Sequence, residues 1–169
     1  MSEHFPDRIA PIQFAHHGKT LSHQFALTPF ERACELLIND RGSLQVEIAF
    51  ATDEAGIATL SGSLSATVQL SCQRCMEPMD ITIDSHFEMA LIQQEEEEEQ
   101  LPDRYEALLV DEQTFSLLTF IEDELILAIP VVASHAETQC SATQYLKDPT
   151  TLPEEKRENP FQVLEQLKH

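Results

Sequence analysis

The chain has 169 residues, 42% of them hydrophobic and 24% charged, enough for one domain with a sizeable core and too short for two comfortable ones. Ten Lys and Arg stand against thirty Asp and Glu, and a net charge of −20 repels the phosphate backbone whose attraction to cations supplies most non-specific nucleic-acid binding. A stand-alone RNA or DNA binder is thereby disfavoured, and no export signal or membrane span is expected: residues 1–8 hold no cationic stretch before an apolar run, and the most apolar segment, 125–133, is interrupted by Pro130.

In chain order, Thr28, Pro29, Phe30 and Glu31 supply an N-cap hydroxyl, a proline at the first helical position and a glutamate three residues after the cap. They predict a helix over 29–39 with Phe30, Ala33, Cys34, Leu37 and Ile38 on one face, which makes Cys34 a small core residue. After Gly42 the period becomes two. Leu44, Val46, Ile48 and Phe50 alternate with polar neighbours, as do Leu60, Leu64, Val68 and Leu70 with Ser61, Ser63, Ser65 and Thr67, and then Ile81, Ile83 and Phe87 with Thr82, Asp84 and His86. Strands at 44–51, 57–71 and 80–92 follow, each with one wet face, and consecutive strands of this kind form an antiparallel meander. Cys72-Gln73-Arg74-Cys75 falls at the turn between the second and third.

Between 88 and 124 one base faces thirteen acids, centred on the run Glu95 to Glu99. Like charges with nothing to bury predict a mobile acidic loop near 93–104. A short strand at 107–110 and a helix over 114–129, halted by Pro130, come next. On a helical wheel Leu117, Leu118, Ile121, Leu125, Ala128 and Ile129 form the buried arc. Glu122 lies inside that arc, and Asp123 and Glu124 point elsewhere. A carboxylate there needs a donor, for which Arg74 is the leading candidate, or a groove that a basic partner fills; a helix rotated by about 40° puts Glu122 at the wet edge instead.

The expected architecture is α+β: one domain over 1–150, an antiparallel meander sheet covered by helices, with Leu60, Leu64, Val68, Ile83, Phe87, Leu118, Ile121 and Leu125 in the core. Residues 151–169 read as a linker and a short amphipathic C-terminal helix, capped by Asn159, opened by Pro160 and carrying Phe161, Leu164 and Leu167.

Cysteine spacing carries the strongest chemical signal. Cys72 and Cys75 on a hairpin tip can hold one side of a tetrahedral zinc, and His135 and Cys140 from a later irregular segment can complete a Cys3His set. The alternative is a pair of surface cysteines on a turn. Redox catalysis is disfavoured, because a reactive Cys-x-x-Cys sits at a helix N-terminus, which lowers the thiol pKa, and here the motif joins two strands. Glycine-rich phosphate loops and a His-Glu-x-x-His zinc motif are missing from the sequence, so no catalytic residue is assigned and the chain is expected not to be an enzyme.

Together these residues resemble a known family, the YceD proteins. The resemblance rests on Leu70-Ser71-Cys72-Gln73-Arg74-Cys75 after the Ser/Thr-rich strand, on Val110-Asp111, on the run from Ile121 to Val132 with His135 and Cys140 behind it, and on Asn159-Pro160-Phe161 with Leu164 and Leu167. It implies a small cytoplasmic bacterial protein, with organellar relatives in plants, that supports normal levels of 23S large-subunit ribosomal RNA through its synthesis, processing or stability. No catalytic residue comes with it.

The surface charge suits a basic ribosomal protein or RNA-processing enzyme, with precursor ribosomal RNA held indirectly and neither DNA nor membrane involved. Candidate partner-binding residues are Arg74, Glu122, Asp123, Glu124, Asn159, Pro160 and Phe161, and the cofactor expected is one structural zinc. The alternative is a zinc-knuckle RNA-binding module in which Arg74 and the tail lysines touch pre-ribosomal RNA.

Overall fold

A computed structural model describes residues 5–111 and 114–143. The chain divides into two compact units, Met1–Ser134 and His135–His169. The linker and C-terminal helix expected over 151–169 lie outside the described residues.

The first unit is mixed α and β, dominated by sheet. Its elements are β1 (Arg8–Ile9), α1 (Pro11–His16), β2 (Thr20–Ala26), α2 (Glu31–Cys34), β3 (Ser43–Thr52), β4 (Ala58–Ser71), β5 (Pro78–Ile92), a 3-10 helix (Glu95–Gln100), β6 (Glu106–Leu109), β7 (Phe115–Ser116) and α3 (Leu117–Ala128). A five-stranded sheet runs in the order β2-β3-β4-β5-β6, and β1 pairs with β7 separately. The three expected strands are present within a residue or two of their expected ends, because period-two alternation against a covered face leaves each a single register.

Two further strands flank these three, and one of them departs from a pure antiparallel meander. β2 adds an edge strand before β3, and its alternation of Leu21, His23 and Phe25 with Thr20, Ser22 and Gln24 was legible. β6 pairs with β5 in parallel. A parallel return needs a crossover of roughly a dozen residues or more, and the acidic stretch between Ile92 and Glu106 supplies it. Within the stretch expected to be a mobile acidic loop, Glu95–Gln100 winds as a 3-10 helix with none of its residues buried, closed by Glu97 N–H to Gln94 O (3.1 Å) and Leu101 N–H to Glu98 O (3.1 Å). The crossover is anchored where Arg104 Nη2 (2.9 Å) and the Tyr105 hydroxyl (3.2 Å) both donate to Asp53 Oδ2 in the β3–β4 turn.

The sheet buries one face. Leu44, Val46, Ile48, Phe50, Leu60, Leu64, Val68, Ile83 and Phe87 are all buried, as the alternation required. Gly62 belongs to this row, where a Cβ would come within 2.8 Å of the Phe87 ring and 2.3 Å of the Glu47 carbonyl oxygen. The missing side chain leaves room for the Phe87 ring against β4, from where it meets Phe120 of α3 edge-on, with ring centroids 5.2 Å apart, a geometry worth roughly 0.5–1.5 kcal/mol beyond its burial.

The covering helices differ from expectation in three ways. α1 packs over β3 and β4, with Pro11 and Ala15 buried and Phe14 meeting Phe50 edge-on, and was not foreseen. α2 is one turn long instead of spanning 29–39, because the chain leaves it through turns so that Ile38 N–H can bond Gln69 O at β4 (2.9 Å). Its cap is Phe30 and not Thr28; Phe30 and Ala33 are buried while Leu36 and Ile38 stay exposed. Cys34, expected in the core, is half-buried and donates its thiol to Leu27 O (3.3 Å), and burial pushes its pKa up.

α3 starts three residues late and ends at Ala128, where Pro130 forces Ile129 into an extended conformation. Ser116 caps it by accepting Thr119 N–H (3.2 Å) and donating to Asp7 (2.9 Å), so β1 and β7 tie the N-terminal segment to the helix start. The buried face is Leu117, Phe120, Ile121, Glu124 and Leu125. Leu118, expected in the core, is only half-buried, because the helix is turned so that Phe120 can meet Phe87.

Candidate functional site

The hairpin tip between β4 and β5 is built by a short run of backbone bonds. Cys72 is fully buried, its N–H donates to Glu77 O (2.9 Å), and its own carbonyl accepts Met76 N–H (2.9 Å). Met76 takes a φ of +62°, a left-handed conformation that costs a side-chain-bearing residue about 1 kcal/mol or more. That turn reverses the chain directly after Cys75 and presents both thiols at one end of the hairpin. Gln73 N–H bonds Ala133 O (2.8 Å), which ties the tip to the segment after α3.

In the second unit, residues 135–143 form consecutive turns. Gln139 and Cys140 N–H both donate to Ala136 O (2.9 and 3.1 Å), Thr143 N–H donates to Cys140 O (3.0 Å), and Cys140 is buried. Cys72, Cys75, His135 and Cys140 each offer one ligand atom, and these atoms all lie within 4.8 Å of one another. Thiolates around one tetrahedral zinc stand about 4 Å apart, so the set fits a small closed ion site that a metal could occupy. Three soft sulfurs and an imidazole favour zinc-type over hard, oxygen-seeking cations.

Glu122 meets a donor, as a carboxylate at its place on α3 requires, but a different one from the leading candidate. Glu122 does not pair with Arg74. Its Oε1 accepts the backbone N–H of Arg32 (2.8 Å) and Ala33 (3.3 Å), and its Oε2 accepts Arg32 Nε (2.9 Å) and Nη2 (2.8 Å). The reason is the packing of α2 against α3, which brings the start of α2 onto Glu122. Arg32 Nη1 also reaches Asp123 (2.8 Å), with both side chains about half exposed. The buried carboxylate is Glu124, which was expected to point elsewhere; burial, with Glu106 and Asp123 nearby, raises its pKa.

Arg74 sits at the hairpin tip, and its Nη1 is buried without a hydrogen-bond partner among the described residues. Asn159, Pro160 and Phe161 lie outside the described residues. Arg32 was missed because nothing in a one-turn helix marks its neighbour ninety residues away.

The fold and the site define an α+β protein with a five-stranded sheet, an acidic surface and a Cys3His cluster able to hold a metal. No helix among the described residues is long and apolar enough to cross a membrane. The family model for the large ribosomal RNA subunit accumulation protein YceD matches residues 60–168. The large ribosomal RNA subunit accumulation protein YceD of Haemophilus influenzae is 32% identical over 166 residues, covering 96% of this chain and 95% of the relative. The chain belongs to the YceD family. No solved structure matches it.

Proposed function

We propose that this protein is a non-enzymatic cytoplasmic factor in ribosome biogenesis. It supports accumulation of large-subunit (23S) ribosomal RNA by binding a basic ribosomal protein or RNA-processing protein, and it uses Cys72, Cys75, His135 and Cys140 to hold one structural zinc. Family membership supports the ribosomal RNA role. The observation that carries the partner class is charge: thirty acids against ten bases repel RNA and attract a basic protein surface, speeding encounter and rejecting acidic competitors. A zinc fits as a staple, because a closed four-ligand site adds folding energy and needs no open coordination position.

The test is affinity capture of the full chain at moderate salt, with and without RNase, beside measurement of large-subunit RNA in cells lacking the protein. A basic protein retained after RNase supports the reading. Loss of every partner after RNase would favour the alternative of a zinc-knuckle module touching pre-ribosomal RNA through Arg74, and unchanged large-subunit RNA would overturn the function altogether.

A further inference from the structure

We infer that the free edge of β2 is a docking site for an extended, alternating apolar and basic segment of a partner protein, which joins the sheet as a sixth strand. The inference deepens the partner-binding reading above and rests on it.

β2 is the edge strand before β3, and it pairs with β3 residue for residue from Thr20↔Ala49 to Ala26↔Ser43 without a bulge. Among the described residues no backbone hydrogen bond reaches Thr20–Ala26 from the side away from β3. Proteins usually blunt such an edge with proline, a central lysine, a bulge or a very short strand. Thr20–Ala26 is seven residues long and contains none of these, whereas the opposite edge, β6, is only four residues long.

A groove of about 460 Å³ runs along this edge, lined by Phe5, Pro6 and Phe14 on one side and by the consecutive residues Lys19 to His23 on the other. The five consecutive lining residues belong alternately to the two faces of the strand, which places the groove along its edge. An added strand would set alternate side chains on the two faces of the sheet. On one face they meet Phe5, Phe14 and the His23 ring, which itself packs at a tilt against Phe5 and Phe25 with centroids 5.5 and 4.5 Å away; this side takes apolar residues. On the other they lie beside Thr20, Ser22 and Gln24, with Glu47, paired to Ser22 in β3, about 10 Å across two strand spacings. The outward row of this sheet face continues with Asp80, Asp84 and Glu88 on β5 and holds no Lys or Arg within the strands, so this side takes lysine or arginine. A second copy of the chain is a poor occupant, since two molecules of charge −20 repel.

The test uses the full-length protein and a ten-residue synthetic peptide alternating lysine and valine, prepared unmodified, N-methylated on its valines, or N-methylated on its lysines. Strand addition uses the amides of only one alternate set, so one methylated peptide should bind about ten-fold more weakly than the other. Hydrogen exchange should show new protection at alternate amides within 20–26. Equal affinity of the two methylated peptides, or protection confined to other elements, would overturn the proposal in favour of diffuse charge attraction. If large-subunit RNA depends on the protein yet the peptide never protects β2, only the docking edge fails; if the edge binds but large-subunit RNA is indifferent, the functional reading fails and the edge stands.

Discussion

Arg32 and Glu122, ninety residues apart in sequence, are joined side chain to side chain and side chain to backbone: one carboxylate oxygen takes two guanidinium nitrogens and the other takes the N–H groups of Arg32 and Ala33. Such a carboxylate caps one helix from another. Arg32 is half exposed but the Glu122 side chain is only 12% exposed, so the bonds to it are partly shielded from water.

Glu122→Ala should therefore cost about 2–3 kcal/mol in denaturant unfolding, since charge-assisted bonds are lost and two N–H groups are orphaned. Asp123→Ala, which breaks a pair half open to solvent, should cost under about 1 kcal/mol. Equal losses in the two variants would show that Glu122 is ordinary surface.

Glu124→Gln should stabilise the protein at neutral pH. Burial raises this carboxyl's pKa in the folded state, with Glu106 and Asp123 adding to the shift. The folded chain thus takes up the proton at a higher pH than the unfolded chain does, and above that pH the ionised carboxylate subtracts stability. The penalty lifts as pH falls through the raised pKa, so the advantage of Gln should shrink from neutral pH downward and vanish below the ordinary carboxylate range. Thermal unfolding across pH checks the sign; a Gln variant less stable than its parent at neutral pH would contradict it.

How far these features were legible depends on the range of the interactions behind them. The three central strands and the Cys72, Cys75, His135, Cys140 set could be read because alternation and ligand spacing are written locally or in residue type. α3 was placed along the chain, but its turn about its own axis lay between two settings, Glu122 in the buried arc or at the wet edge, and Glu124 was put outside the core, where it does not lie. The turn is set by Phe120 meeting Phe87, a contact across 33 residues that a wheel does not contain. The 29–39 helix was overrun for a similar reason: its capping residues are genuine local signals, but a bond from Ile38 to β4 outweighs another helical turn.

The full chain should bind one equivalent of zinc. Cys75→Ser and Cys140→Ser should lose it, while Cys34→Ser, whose thiol bonds Leu27 O and lies outside the four-residue set, should keep it. Chelation should lower Tm by about 5–10 °C, the shift that a ligand at roughly a hundred times its Kd confers on a domain of this size. Metal analysis with a Tm series decides; a metal-free protein with parental Tm would sink the site.

Replacing Glu95 to Glu99 with Gly and Ser should leave Tm within about 2 °C of the parent, since none of these side chains is buried and surface changes usually stay within about 0.5 kcal/mol. If the block also recruits the basic partner, the same variant should flatten the salt dependence of binding. A large fall in Tm would mean that the crossover from β5 to β6 depends on its glutamates.

The space that Gly62 leaves empty is filled by Phe87, so the two positions constitute one unit of shape shared by neighbouring strands. A smaller residue at 87 would not by itself make room for a side chain at 62, because a Cβ there would also stand 2.3 Å from the Glu47 carbonyl oxygen; among divergent chains with this fold, glycine should persist at 62 while 87 and 120 change together. A fixed glycine at 62 beside a pair at 87 and 120 that varies together, drawn from two strands and a helix, is thus a signature by which distant relatives could be recognised even where the cysteines have been lost.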